Sequence, residues 1–209
     1  MNIKRTLCVA GGAVVLAGSV VLGTVAAQST KAPELQQQGP EALSVDPSSG
    51  ADVTTDRLDN VEKDVGDAAV LAAEDGKKLF SLEVSKITVA RDCPARVGNF
   101  RMTPENGTFL ILDVEASLDR GISKEVSGSA DELFMPLVSQ AFSVTDPHGV
   151  IDRKVASESA WGCLGDDVLA PALVNPGQKV SGKIVLDVPY ESGTVVYDPN
   201  SNGGWSWPY

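Results

Sequence analysis

Few side chains in this chain belong to the types that carry out reactions. There are three cysteines (Cys8, Cys93 and Cys163) and one histidine, His148. A Ser–His–acid triad would have to use His148, which stands beside Asp146, and no Gly-x-Ser-x-Gly element exists to present a serine to it. Ser-x-x-Lys occurs at no lysine, and no phosphate-cradling glycine-rich loop follows a strand pattern. Zinc lacks ligands, because the chain has one histidine and no Cys-x-x-Cys. The acidic doublets Asp131-Glu132 and Asp166-Asp167 have the groups for calcium binding or acid–base work. However, adjacent strand residues face opposite ways, loop carboxylates are normally solvated, and no spaced D-x-D-x-D-G run supports a calcium loop. These residues point to a protein that is not an enzyme, with no catalytic residue, no metal and no cofactor. The alternative is a carboxylate- or metal-dependent envelope hydrolase.

Two other groups have chemistry of a different kind. If the leader is removed, Cys8 goes with it and an even pair remains. In an oxidising compartment a cysteine pair in a small domain is most often a disulfide, so Cys93 and Cys163 are expected to be linked, pinning two long loops. Closing a loop of that length stabilises a fold by roughly 4 kcal/mol in the chain-entropy model. Trp205, Trp207 and Tyr209 form an aromatic cluster behind Gly203-Gly204. Packing at the end of a sheet is the favoured role; an exposed platform for glycan or protein is the possible interaction surface.

The elements that position these residues follow from charge and periodicity. Of 209 residues, 28 are acidic and 17 basic, for a formal charge of −11. That balance argues against nucleic acid and against anionic lipid, both of which demand a basic face. Lys4 and Arg5 precede an uncharged run, Leu7 to Ala27, ending Val25-Ala26-Ala27. Residues 1–27 are therefore expected to be a secretory signal or, because the run is long enough to span a bilayer, a retained N-terminal membrane anchor. Either way the rest lies outside the cytoplasm, and any membrane contact is through that segment. Cys8 opens the apolar run, so it is no lipid-attachment site. Residues 28–75 carry eleven acids against three bases, with Gln36-Gln37-Gln38 and Pro47-Ser48-Ser49-Gly50, and predict an acidic disordered linker. Within it Leu58, Val61 and Val65 suggest a transient helix over 56–73.

Residues 76–209 alternate. Phe80, Leu82 and Val84 share one face of a strand over 79–89, and Ile87 and Val89 continue in the opposite phase, which predicts a bulge near Ser85-Lys86. Asn106-Gly107 turns into a strand whose inner row is Leu110, Leu112, Val114, Ala116 and Leu118. Residues 140–145 form a third strand, and Asp146-Pro147-His148-Gly149 suits a type I turn at every position. Val174-Asn175-Pro176-Gly177 turns into the strand 179–188. There Val180, Gly182, Ile184, Leu186 and Val188 face one side and Lys179, Ser181, Lys183 and Asp187 the other, with Val185 the exception. Residues 193–197 and 205–207 complete an all-β, antiparallel sandwich of about seven strands.

The domain resembles the immunoglobulin-like family of exported Gram-positive proteins that includes immunoprotective extracellular antigens, and within it a branch of unknown function common in lipoproteins. The residues that carry the resemblance are 107–114, Phe142 to Gly149, Val174 to Gly177 leading into 182–189, and Val195-Val196-Tyr197-Asp198. The resemblance implies an immunoglobulin-like sandwich outside the cell, with no functional residue to transfer. The expected role is a non-enzymatic binding or structural module, secreted or on the outer face of the membrane, for a protein or glycan of the cell envelope. The expected form of the exported chain begins at Gln28 and shows no free thiol until reduced. Intact masses from medium and membranes, with and without reductant, check this; free thiols at both Cys93 and Cys163 would overturn it.

Overall fold

A computed structural model describes residues 53–127, 133–201 and 203–209. The leader, the linker as far as residue 52 and the Asp131-Glu132 doublet lie outside them. In chain order the strands and helices are β1 (Val61–Glu62), β2 (Ala68–Ala72), β3 (Lys78–Ala90), β4 (Cys93–Pro94), β5 (Arg101–Met102) and β6 (Thr108–Leu118). Helix α1 (Ile122–Ser127), β7 (Met135–Pro136), β8 (Phe142–Thr145), β9 (Ile151–Asp152) and helix α2 (Glu158–Trp161) follow. The order closes with β10 (Leu173–Val174), β11 (Lys179–Val188), β12 (Thr194–Tyr197) and β13 (Trp205–Pro208). Among the described residues, seven strands have four residues or more, and both helices are short.

Two sheets face each other. One has the order β11-β6-β3-β2, all antiparallel; the other runs β1-β13-β12-β8-β9, with β1 parallel to β13. Alternation puts Phe80, Leu82, Val84, Leu110, Leu112, Ile184 and Leu186 of the first sheet inside, against Phe142, Val144, Val195, Tyr197 and Trp207 of the second. This is an all-β sandwich. The register of β3 on β6 shifts between Val84 and Lys86, so the phase change in the sequence is a bulge. Asp146 accepts from the backbone N–H groups of His148 (2.9 Å) and Val150 (2.8 Å), closing the turn from β8 to β9.

The domain starts earlier than the sequence suggested. Residues 61–75, expected to be the end of a disordered linker and in part a transient helix, belong to the sandwich. Ala69 and Val70 of β2 are buried on β3, and Val61 pairs with Trp205. Asp56 is not a solvated acid of a tether either: it accepts from the N–H groups of Leu58 (2.8 Å) and Asn60 (3.0 Å). Asn60 Oδ1 in turn accepts from Gly204 N–H at 3.1 Å, a residue near the other end of the chain. High acidity hid two strands, β2, which pairs with the adjacent β3, and β1, whose partner β13 lies near the other end of the chain.

The aromatic ending is also placed by this core. Trp207 is fully buried, and Trp205 lies 6.1 Å from Phe80 and 6.3 Å from Tyr197 between ring centroids. Tyr209 packs half-buried against the same cluster. The possible interaction surface at Trp205, Trp207 and Tyr209 is therefore corrected: period two turns both indoles inward, where they close the core.

Burial raises the phenols of two tyrosines. Tyr197, whose O–H donates to Pro136 O at 2.9 Å, is pushed well above its ordinary value. Tyr209 is pushed up to about 12, first by burial and then by the charge of Tyr190. The unfolded chain releases these protons near pH 10 and the folded chain later. Stability is therefore complete below pH 10 and falls as pH rises from about 10 towards 12. Among the described residues the hydroxyl of Tyr209 has no hydrogen-bond partner. Tyr209→Phe is expected to leave stability at pH 7 within about 0.5 kcal/mol and to flatten the loss above pH 10. Urea unfolding at pH 7 and pH 11 tests it; an unchanged pH slope in the variant would refute the assignment.

Candidate functional site

Outside the sandwich core lies a second, smaller one. Cys93, Phe109, Ala160, Cys163 and Val185 are buried together on the outer face of the β11-β6-β3-β2 sheet. Val185, the exception in the alternation of β11, faces outward but is covered here, and Asp187 on the same row is fully buried instead of solvated. The cover is α2 with the loop after it, and the β4–β5 hairpin.

Cys93 and Cys163 are joined by a disulfide, with Cα atoms 5.8 Å apart and a sequence separation of 70. Both are buried. Backbone bonds accompany the link: Arg96 N–H donates to Gly162 O (2.7 Å) and Leu164 N–H to Pro94 O (2.8 Å). The hairpin and the α2 loop are therefore tied by one covalent bond and two backbone hydrogen bonds.

The other anchor is Asp187. Its Oδ2 accepts from Glu105 N–H and from the Ser157 hydroxyl, both at 2.7 Å, and its Oδ1 accepts from Asn106 N–H at 3.0 Å. Ser157 Oγ also accepts from Ala160 N–H (2.9 Å), capping α2. Asn106 spends its side-chain amide on Lys154 O and Asp187 O. A buried carboxylate with these donors is satisfied, and it fixes where α2 begins.

These supports hold Trp161 at the end of α2. Its side chain is 71% exposed, and the guanidinium of Arg96 sits 4.6 Å from its ring centroid. Arg96 Nε lies 3.5 Å from Asp166 Oδ1, an ion pair longer than a hydrogen bond. Beside them opens a cleft of about 590 Å³. One wall is Leu137 to Gln140; the others are Ala156 to Trp161 and the loop from Asp166 to Ala172; the edge of β11 at Val185 forms the floor. The volume lies within the range of small-ligand pockets, and the walls are mostly small apolar residues with a charged, aromatic rim. The loop reaches β11 because residue 182 is glycine: a Cβ there would stand 2.4 Å from Ala170 N.

Of the residues singled out from sequence, Cys93 and Cys163 meet beside this cleft. Asp166 lies on its rim against Arg96, apart from Trp205, Trp207 and Tyr209 in the main core. His148 is exposed in its turn, where its N–H bonds Asp146. Among the described residues no group of three or more His, Cys, Asp or Glu is close enough to hold a metal ion. Trp161 and Arg96 were not legible as a pair, since 65 residues separate them. The one local sign was a tryptophan two residues ahead of a cysteine in a glycine-flanked stretch.

No family model matches the chain, and no curated protein matches it. Among solved structures it is similar to MPT63, a secreted protein from Mycobacterium tuberculosis. The two are 16% identical with a TM-score of 0.45, over 72% of this chain and 98% of that one.

Replacing Asp187 by Ala strips three donors of their acceptor. Charged hydrogen bonds contribute about 1.5–3 kcal/mol each, partly offset here by solvent at the turn. Asp187→Ala is expected to cost about 3 kcal/mol or more in urea unfolding followed by tryptophan fluorescence; a loss below about 1 kcal/mol would show that the carboxylate anchors nothing.

Proposed function

We propose that this protein is a non-enzymatic, extracytoplasmic binding module of the immunoglobulin-like kind, which takes its ligand in the cleft beside Trp161. The carrying observation is the exposed Trp161 indole with Arg96 stacked on it, held at the mouth of a cleft by a disulfide and a capped helix. Tryptophan and arginine are among the side chains most enriched at binding hot spots, and here the two are stacked on each other at the mouth of the cleft. Rigid support lowers the entropy lost on binding, because few side chains remain to be ordered.

The address follows from the leader pattern and from the disulfide, which suits an oxidising compartment. Among the described residues no helix is long and apolar enough to cross a membrane. A protein or glycan of the cell envelope is the partner class that fits this setting.

The test uses the full chain and sedimented envelope from the cells that export it. Trp161→Ala is expected to leave the thermal midpoint unchanged, as exposed substitutions do, and to weaken envelope binding about tenfold, which is about 1.4 kcal/mol. Equal retention of the variant and the parent would exclude the cleft as the binding site.

A further inference from the structure

The floor of the cleft carries an unfinished piece of β-sheet. In an antiparallel pair, alternate residues turn their N–H and C=O to alternate sides. The unbroken register of β11 on β6 therefore points the backbone of Lys183, Val185 and Asp187 away from β6. Two of these three are engaged. Lys183 donates to Val168 O and accepts from Ala170 N–H, both at 2.9 Å. Asp187 donates to Val155 O at 2.8 Å and accepts from Asn106 Nδ2 at 3.0 Å. Between them, no hydrogen bond among the described residues engages the N–H or the C=O of Val185. Val185 is only 6% exposed and lines the cleft. More than nine in ten buried backbone groups in proteins are paired, so a donor and an acceptor left open side by side in a cleft mark a place for a partner.

Resting on the cleft as the binding site, we infer that its ligand is an extended peptide segment. One ligand residue offers its C=O to Val185 N–H and its N–H to Val185 C=O, adding a short strand to the edge of β11. The geometry favours a peptide over an N-acetylated sugar. A trans amide points its N–H and C=O in opposite directions, so a single acetamido group meets only one of the two Val185 groups. A residue in an extended chain presents both to the same side. Side chains of neighbouring ligand residues then alternate between the two walls. One wall is Leu137 and Val138, continuous with the main core; the other is Ala160 and Trp161 above the second core. Small apolar residues fit the first wall.

The test uses the full-length, disulfide-intact protein labelled with nitrogen-15. The probes are a heptapeptide selected from a random display library and tetra-N-acetylglucosamine. In the free protein the Val185 amide is expected to exchange with solvent about tenfold faster than those of Ile184 and Leu186, which bond to β6. The peptide should slow Val185 about tenfold, and N-methylation of the one ligand amide that meets Val185 C=O should weaken binding about tenfold. A peptide that shifts cleft resonances but leaves Val185 exchange unaltered would overturn the backbone pairing and leave the cleft reading intact. So would cleft shifts with the sugar and none with any peptide at about 1 mM. Failure of Trp161→Ala to affect envelope binding would remove the cleft reading itself, which separates the two failures.

Discussion

One carboxylate holds the outer side of this sandwich in place. Asp187 sits on a strand row that is polar elsewhere, yet it is fully buried and receives donors from Glu105, Asn106 and Ser157. A carboxylate taken out of water must be compensated by donors brought to it, and the donors here come from segments 30 and about 80 residues distant. Satisfying one group thus fixes the turn into β6, the capping residue of α2 and the end of β11 relative to one another. Two of these, α2 and β11, line the cleft.

The two cores divide the work. The larger, between the sheets, is a continuous layer of aliphatic and aromatic side chains that makes the fold. The smaller, under the disulfide, covers only a few residues and depends on the link between Cys93 and Cys163 to keep the hairpin and the α2 loop together. A patch that small buries too little apolar surface to order two loops unaided, and the covalent bond supplies what area does not. Gly182 belongs to the same arrangement, since only a residue without Cβ admits Ala170 so close to β11. Trp161 and Arg96 are presented by this outer layer, next to the disulfide that holds it.

Where alternation was strict, the strands could be recognised from residue order: β3 with its bulge, β6, and the inner row of β11 all follow from period two. Ala68-Ala69-Val70-Leu71-Ala72 could not, because a short apolar run among acids matches a linker or a helix as well as a buried edge strand. Only the register against Leu82 and Phe80 distinguishes them. Trp205 and Trp207 signalled importance without orientation; an aromatic pair at i and i+2 faces one side, and nothing local says which side is water. Val185 alone broke the pattern of its strand and marked where a second layer covers the sheet; Asp187 kept the polar pattern and is buried under that layer all the same.

Local chemistry by itself determined the sandwich and its main strands and turns, because alternation and turn propensity act over two to four residues. Tertiary structure decided where the domain begins, which aromatic ring meets solvent and where a cleft opens. Those depend on contacts between residues such as Arg96 and Trp161, or Asn60 and Gly204, whose separation along the chain leaves no trace in any short window.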